Sequence, residues 1–264
     1  MLPNTEVYTI FGNFPGCIWN GGGIQTSSIA QKETIEGIIK FYNDHLNLPL
    51  SFTFTNPLLN EKQYYDTYGN LIAELGNNGK NIILVSDIKF EEYLRKNYSN
   101  YKYCRSILAT KNIPYSLKSK YGQYELSVLQ RAKNNDWDFL LSIPEEHRSR
   151  IELLCNDPCP DNCPRLYTHY EDLAKVQIAY GQNNETVKCN MRHQFHSKYV
   201  CEHNKTYISR QMIDNQYLPN GFNKFKCAGR YSHLHIIRNL LKYIIKVEYM
   251  EDMYEELFHT IDIY

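Results

Sequence analysis

Ile82-Ile83-Leu84-Val85 is a run of four apolar residues with no polar residue alternating between them. A strand with one wet face alternates apolar and polar side chains, so an unbroken run points to a parallel strand covered on both faces. Six further β-rich runs lie to either side: Val7 to Phe11, Leu50 to Thr55, Tyr101 to Leu108, Tyr124 to Leu129, Ile151 to Cys155 and Phe222 to Cys227. Between the first two, Ile35, Ile38, Ile39, Tyr42 and Leu46 recur at three- and four-residue spacing, which places them on one face of a helix begun by a Ser27-Ser28 cap. Strand followed by amphipathic helix is the β/α unit. Repeated along the chain, it predicts an α/β fold of TIM-like (β/α) barrel type.

Seven strands leave a closed barrel one short, and Thr186 to Thr206 is the stretch with room for an eighth. The expectation is therefore a complete or slightly degenerate barrel. No Pro-, Gly- or Ser-rich linker divides residues 1–264, so the chain reads as a single domain with a Cys/His-rich excursion at 157–221. Leu240, Leu241, Ile244 and Ile245 keep helical spacing, and Val247 to Tyr264 carries six acidic and no Lys or Arg residues. These predict C-terminal helices packed on the outside of the barrel.

Lysine plus arginine and aspartate plus glutamate each total 29, which excludes an overall positive field for holding nucleic acid. An anionic partner, whether RNA or a small molecule, needs a local patch. Lys188 to Lys242 offers one, with ten Lys and Arg against Glu202 and Asp214; acidic helices elsewhere could equally neutralise it. Met1 to Val7 lacks a basic segment leading into an apolar run, and no stretch approaches the roughly 20 apolar residues of a membrane span. A cytoplasmic protein with no membrane partner is expected, its eight cysteines being reduced thiols or metal ligands.

The chemistry concentrates in Asn156-Asp-Pro-Cys159-Pro-Asp-Asn-Cys163-Pro-Arg165-Leu-Tyr-Thr-His169-Tyr170, directly after an apolar strand. In a barrel that position is the catalytic rim. Four thiolates, Cys159, Cys163, Cys189 and Cys201, could hold a [4Fe-4S] cluster or a tetrahedral zinc, because soft sulfur donors suit both. His193, His196 and His203 make a mixed Cys/His zinc site the rival, while Cys155 and Cys227 fall within strands and read as core thiols. His169 could face the mouth as a proton donor or anion contact with Tyr170 beside it, and Arg165 and Arg230 could grip an anion with bidentate forks. Asn56, Asp87, Arg105 and Glu152 stand at or near strand ends, where polar side chains point into a barrel's mouth, and Glu125 is similar. Trp19-Asn20-Gly21-Gly22-Gly23 leaves the first strand either as an anion cradle or as a tight turn.

The segment from Asn156 to Tyr170 resembles the N-x-x-C-x-x-x-C-P-x-R-x-x-H-Y stretch of the collagenase-like U-32 peptidase family. Gly221-Phe222-Asn-Lys-Phe225-Lys226-Cys-Ala-Gly229-Arg230 is similar to that family's G-F-x-x-F-K-x-x-G-R strand and turn. Cys17-Ile-Trp19-Asn20-Gly21-Gly22 and Phe54-Thr55-Asn56 are weaker matches. The resemblance implies a β/α barrel. It also implies either proteolysis or oxygen-independent hydroxylation of RNA or quinone precursors with an iron–sulfur cluster. The family's Glu-x-Phe-x-His-Gly signature is absent, which favours the hydroxylase side. The expected site then comprises His169, Tyr170, Arg165 and Glu152 as catalytic groups, with Arg230, Lys226, Asn56, Arg105 and Trp19 on an anionic substrate. The alternatives are a peptide hydrolase relying on Glu152 and a non-catalytic binding protein stapled by zinc.

Overall fold

The computed structural model describes residues 5–23, 26, 28–157, 159, 163–181, 204–228, 242–245 and 249. Seven parallel strands form one curled sheet: β1 (Ile10–Gly12), β2 (Leu50–Phe54), β3 (Ile82–Val85), β4 (Lys102–Arg105), β7 (Leu126–Val128), β8 (Ile151–Leu154) and β9 (Lys224–Lys226). A small antiparallel hairpin, β5 (Lys118–Ser119) with β6 (Gly122–Gln123), stands apart from it. Strand order follows chain order from β1 to β9 with no reversal, so the sheet is wound in a single direction. Each main strand overlaps one of the seven runs expected from sequence.

Among the described residues β9 makes no backbone pairing with β1, so the sheet is TIM-like half-barrel architecture without demonstrated closure. The two edges nevertheless meet through side chains. Lys224 Nζ lies 4.1 Å from the ring centre of Tyr8, and Lys226 Nζ lies 3.9 Å from that of Phe11. The expected eighth strand in Thr186 to Thr206 falls almost entirely outside the described residues.

Alternation along the strands builds two layers. Ile82, Leu84, Cys104, Leu126 and Val128 gather on the concave face with Tyr8 and Ile107. Ile83, Val85, Phe52 and Phe54 turn to the convex face, against Ile35 and Ile39 of α1 (Lys32–Lys40), Ile72 of α2 (Thr67–Leu75), and Phe90 and Leu94 of α3 (Ile88–Asn97). Further round, α4 (Trp137–Ser142), followed by the short α5 (Glu145–Arg148), and the turns near Tyr217 cover Ile151 and Leu153, and Tyr243 joins this second outer cluster. That contact, with Ile244 packed beside it, places this part of the chain on the outside; Leu240, Leu241 and, apart from Tyr249, Val247 to Tyr264 lie outside the described residues.

Local differences have physical causes. Helix α1 starts at Lys32 behind Gln31, with no side-chain cap, rather than at a Ser27-Ser28 cap. After Lys40 it widens into a π turn over Phe41–His45, which shifts the inward face so that Asn43 is buried and Leu46 is exposed. The fourth strand stops at Arg105, and the connection to β7 carries a 3₁₀ turn (Ile107–Thr110) and the hairpin instead of a helix. Buried Glu91 of α3 ties this connection down, accepting from Arg95 Nε (2.7 Å), Ser119 Oγ (2.6 Å) and Tyr124 OH (2.5 Å).

The helix after β8, α6 (Leu166–Ile178), does not simply return along the convex face. Leu166, Tyr167 and Tyr170 stand near Ile107 and Thr110 beyond β4, Arg131 beyond β7 and Asp157 beyond β8. At its other end Gln177 Nε2 donates to Cys17 O (2.9 Å), and Asn56 Nδ2 donates to Ala174 O (3.3 Å). Thirteen residues at about 1.5 Å each give a rod of about 20 Å that crosses the C-terminal mouth of the sheet. Positive φ at Tyr180 and Gly181 then turns the chain out of the helix, with the Gly181 amide bonded to Val176 O.

Among the described residues, no helix is long and apolar enough to cross a membrane.

Candidate active site at the strand rim

Beneath the first turns of α6 lies a recess of about 200 Å³, lined by Ile107, Thr110, Gln130, Arg131, Asp157, Cys163, Tyr167 and Tyr170 among others. Each arrives from a strand end or from α6. Arg131 follows β7, Asp157 follows β8, and Cys163 and Tyr170 flank the start of the helix.

Arg131 and Asp157 form the buried floor. Arg131 Nη1 lies 2.8 Å from Asp157 Oδ2, and the two side chains are 4% and 7% exposed. Burial alone would pull the guanidinium pKa down, but the Asp157 carboxylate outweighs it and holds the group firmly protonated. The other Asp157 oxygen accepts from the Cys159 amide (2.9 Å). Asn204 Nδ2 then bonds both Asp157 O and Cys159 O (2.9 Å each), so a later part of the excursion is pinned to its start.

Cys159 and Cys163 are near enough for their charges to interact, and both border this floor. Burial, reinforced by the Asp157 carboxylate and partly opposed by Arg131, pushes the Cys159 thiol up to about 12. A bound cation would reverse that preference and favour thiolate. Among the described residues no group of three or more His, Cys, Asp or Glu side chains could hold a metal ion. Cys189 and Cys201, the other two expected ligands, lie outside the described residues, as do His193, His196, His203 and Arg230.

Glu152 and Lys226 are brought together on the concave face. Lys226 Nζ is 3.2 Å from Glu152 Oε1, with side chains 12% and 11% exposed. The contact is one of charge without hydrogen-bond alignment, and that carboxylate oxygen has no hydrogen-bond partner.

The remaining expected residues divide between the recess and the framework around it. Tyr170 lines the recess, whereas His169 does not; its amide donates to Arg165 O (2.7 Å). Arg165 occupies the N-cap position of α6 without a side-chain capping bond and pairs with Asp172 about two turns on (3.0 Å). Asn56 is a buried brace rather than a substrate contact: it donates to Ile18 O (2.9 Å) and Ala174 O and accepts from the Leu58 amide (3.0 Å). Arg105 lies on the face opposite concave Cys104 and donates to Ile113 O (3.1 Å) and Ala109 O, which fixes the turn after β4.

Trp19 is fully enclosed. It makes edge contacts with Phe54 and Phe90, its Nε1 donates to Gln63 O (2.8 Å), and it offers no surface to a substrate. The turn beyond it is tight, since a Cβ on Gly21 would come 2.1 Å from Thr55 O. Asp87 caps α3 by accepting from the Phe90 amide (2.8 Å), and Glu125 accepts from Tyr8 OH (3.4 Å).

Of the basic stretch, Lys224 and Lys226 point to the concave face and Arg210 pairs with Asp214 (2.8 Å), so these three do not form an outward basic surface. Cys155 is buried and Cys227 half-buried in or against the second outer cluster, in keeping with core thiols. Arg131, Asp157, Gln130 and Thr110 are the site residues that sequence reading passed over. The signal for Arg131 was available, because it follows an apolar strand just as Arg165 does.

Comparison with protein-family models, with curated proteins and with solved structures finds no match for this chain.

Proposed function

We propose that this chain is a barrel-type enzyme of the oxygen-independent hydroxylase kind, whose reaction centre is the recess between α6 and the ends of β7 and β8. Cys159 and Cys163 hold part of an iron–sulfur cluster there, completed by cysteines of the excursion, and the substrate is a small anion. The observation that carries the reading is the meeting of Cys163, Tyr170 and the Arg131–Asp157 pair around one small recess, with Cys159 bordering its floor. A cluster bound there supplies one-electron chemistry. The chain's own groups shape the cavity: the Arg131–Asp157 ion pair, neutral overall, gives it a polar floor, and Lys111, over the Tyr167 ring at 5.5 Å, adds a positive charge at the edge. A volume of about 200 Å³ supports a small molecule over a folded RNA.

The hydrolase alternative has less support, because Glu152 faces Lys226 and Asp157 faces Arg131 instead of forming a carboxylate pair. Protein purified without oxygen should be brown and contain iron, and Cys159→Ala or Cys163→Ala should remove both. Colourless, iron-free protein would overturn the proposal.

One observation favours a second reading. Asn204 already fastens a later part of the excursion to the Cys159 loop, the place where a zinc staple would act. That reading predicts about one zinc per chain, and a chelator that loosens the excursion without changing the sheet.

A further inference from the structure

The pairing of β8 with β9 runs Glu152 with Lys224, Leu153 with Phe225 and Leu154 with Lys226. One residue further on, the same register sets Cys155 opposite Cys227, and the Cys155 amide still donates to Lys226 O at 2.9 Å. The two side chains share the convex face. Cys155 belongs to the cluster of Leu153, Ile208, Tyr217 and Tyr243, and Cys227 packs against it. Their thiols are near enough to influence one another, and the Cys155 thiol donates to Leu153 O at 3.7 Å. Neighbouring parallel strands hold opposite Cα atoms about 5 Å apart, inside the window that a disulfide spans.

We propose that Cys155 and Cys227 form an oxidisable pair, which a peroxide converts into a disulfide stapling β9 to β8. Cys227 is half-buried whereas Cys155 is enclosed, so Cys227 meets the oxidant first. Its sulfur attacks one peroxide oxygen; the O–O bond breaks, leaving a sulfenic acid and releasing one water. Cys155 sulfur then attacks that sulfur, the S–O bond breaks, and a second water departs with the Cys155 proton. Two thiols and one hydrogen peroxide thus become one disulfide and two waters. The staple closes a long loop containing the whole excursion, and it holds Lys226 opposite Glu152. It does not depend on the proposed metal centre at Cys159 and Cys163, because different thiols are used.

The test treats the full chain with hydrogen peroxide, blocks remaining thiols with an alkylating agent under denaturing conditions, and digests with trypsin plus a protease cutting before aspartate. Asp157 and Asp161 separate Cys155, Cys159 and Cys163 into different peptides, and Lys226 and Arg230 bracket Cys227. The expected product is peptide 151–156 linked to peptide 227–230, two hydrogen masses below their sum. It should be accompanied by a rise in Tm of several degrees that a reductant reverses. Cys227→Ser should abolish both effects while leaving Cys155 alkylatable. Overturning results are full alkylation of both thiols after peroxide, oxidation of Cys227 to sulfinic acid without linkage, or linkage of either cysteine to a different partner.

Discussion

Arg131 and Asp157, 26 residues apart in the chain, meet at 2.8 Å beneath α6 in an almost fully buried ion pair. The pair joins the ends of β7 and β8, and through Asp157 it also fixes the Cys159 amide. Removing one partner leaves the other charge buried without compensation, whereas replacing both with apolar residues of similar size does not.

Asp157→Ala is therefore expected to destabilise the fold by about 3–5 kcal/mol. Arg131→Met alone should cost a similar amount, Arg131→Met combined with Asp157→Leu should recover most of either loss, and urea denaturation of the three variants measures both effects. Additive losses in the double variant would show that the pair's charge is not the operative feature.

Glu152 and Lys226 make the corresponding contact on the concave face, at 3.2 Å. Glu152→Gln should cost on the order of 3 kcal/mol, and Glu152→Gln with Lys226→Met should come closer to the parent than either single change. A double-mutant cycle on Tm or urea midpoint reads the coupling.

Asn56 holds α6 against the rim through Ala174 O while also binding Ile18 O. Asn56→Ala should cost about 1–3 kcal/mol, because it leaves buried carbonyls and the Leu58 amide without their partner. Amide hydrogen exchange should accelerate most in the second half of α6. Uniform acceleration throughout the protein would instead mean that Asn56 supports the whole fold equally.

Alkaline pH should destabilise the protein through its buried thiols and phenols. Burial pushes the Cys17 thiol from about 9 up to about 12, and Tyr64 moves in the same direction. A folded-state pKa above the unfolded one gives stability that is complete below about pH 9 and is lost as pH rises toward 12. Unfolding free energy measured across that window should fall, and Cys17→Ala should make the fall shallower.

The strands were legible because each is covered on both faces and so reads as an apolar or β-rich run; Ile82 to Val85 is the plainest case. The π turn at Phe41–His45 was not legible, since one extra residue in a helical turn leaves the apolar spacing almost unchanged. Nor was the course of α6. Whether that helix lies along the sheet or across the mouth depends on Asn56 and Gln177, which are distant in sequence and polar in type. Trp19 misled for a related reason: it follows β1 toward the rim, yet its ring turns into the outer core, where Gly69 has no Cβ to block it. The rim position of Cys163 and Tyr170 followed from their place after a strand. The Arg131–Asp157 floor did not, because which two strand ends adjoin is a property of the folded sheet.

Iron and acid-labile sulfide counted per chain in protein prepared and kept under anaerobic conditions test the central proposal most directly. The account predicts about four of each for the parent chain, as a cubane cluster requires, and a near-complete loss of both in Cys163→Ala. A parent preparation with neither iron nor sulfide, or one whose iron is unchanged by Cys163→Ala, would contradict it.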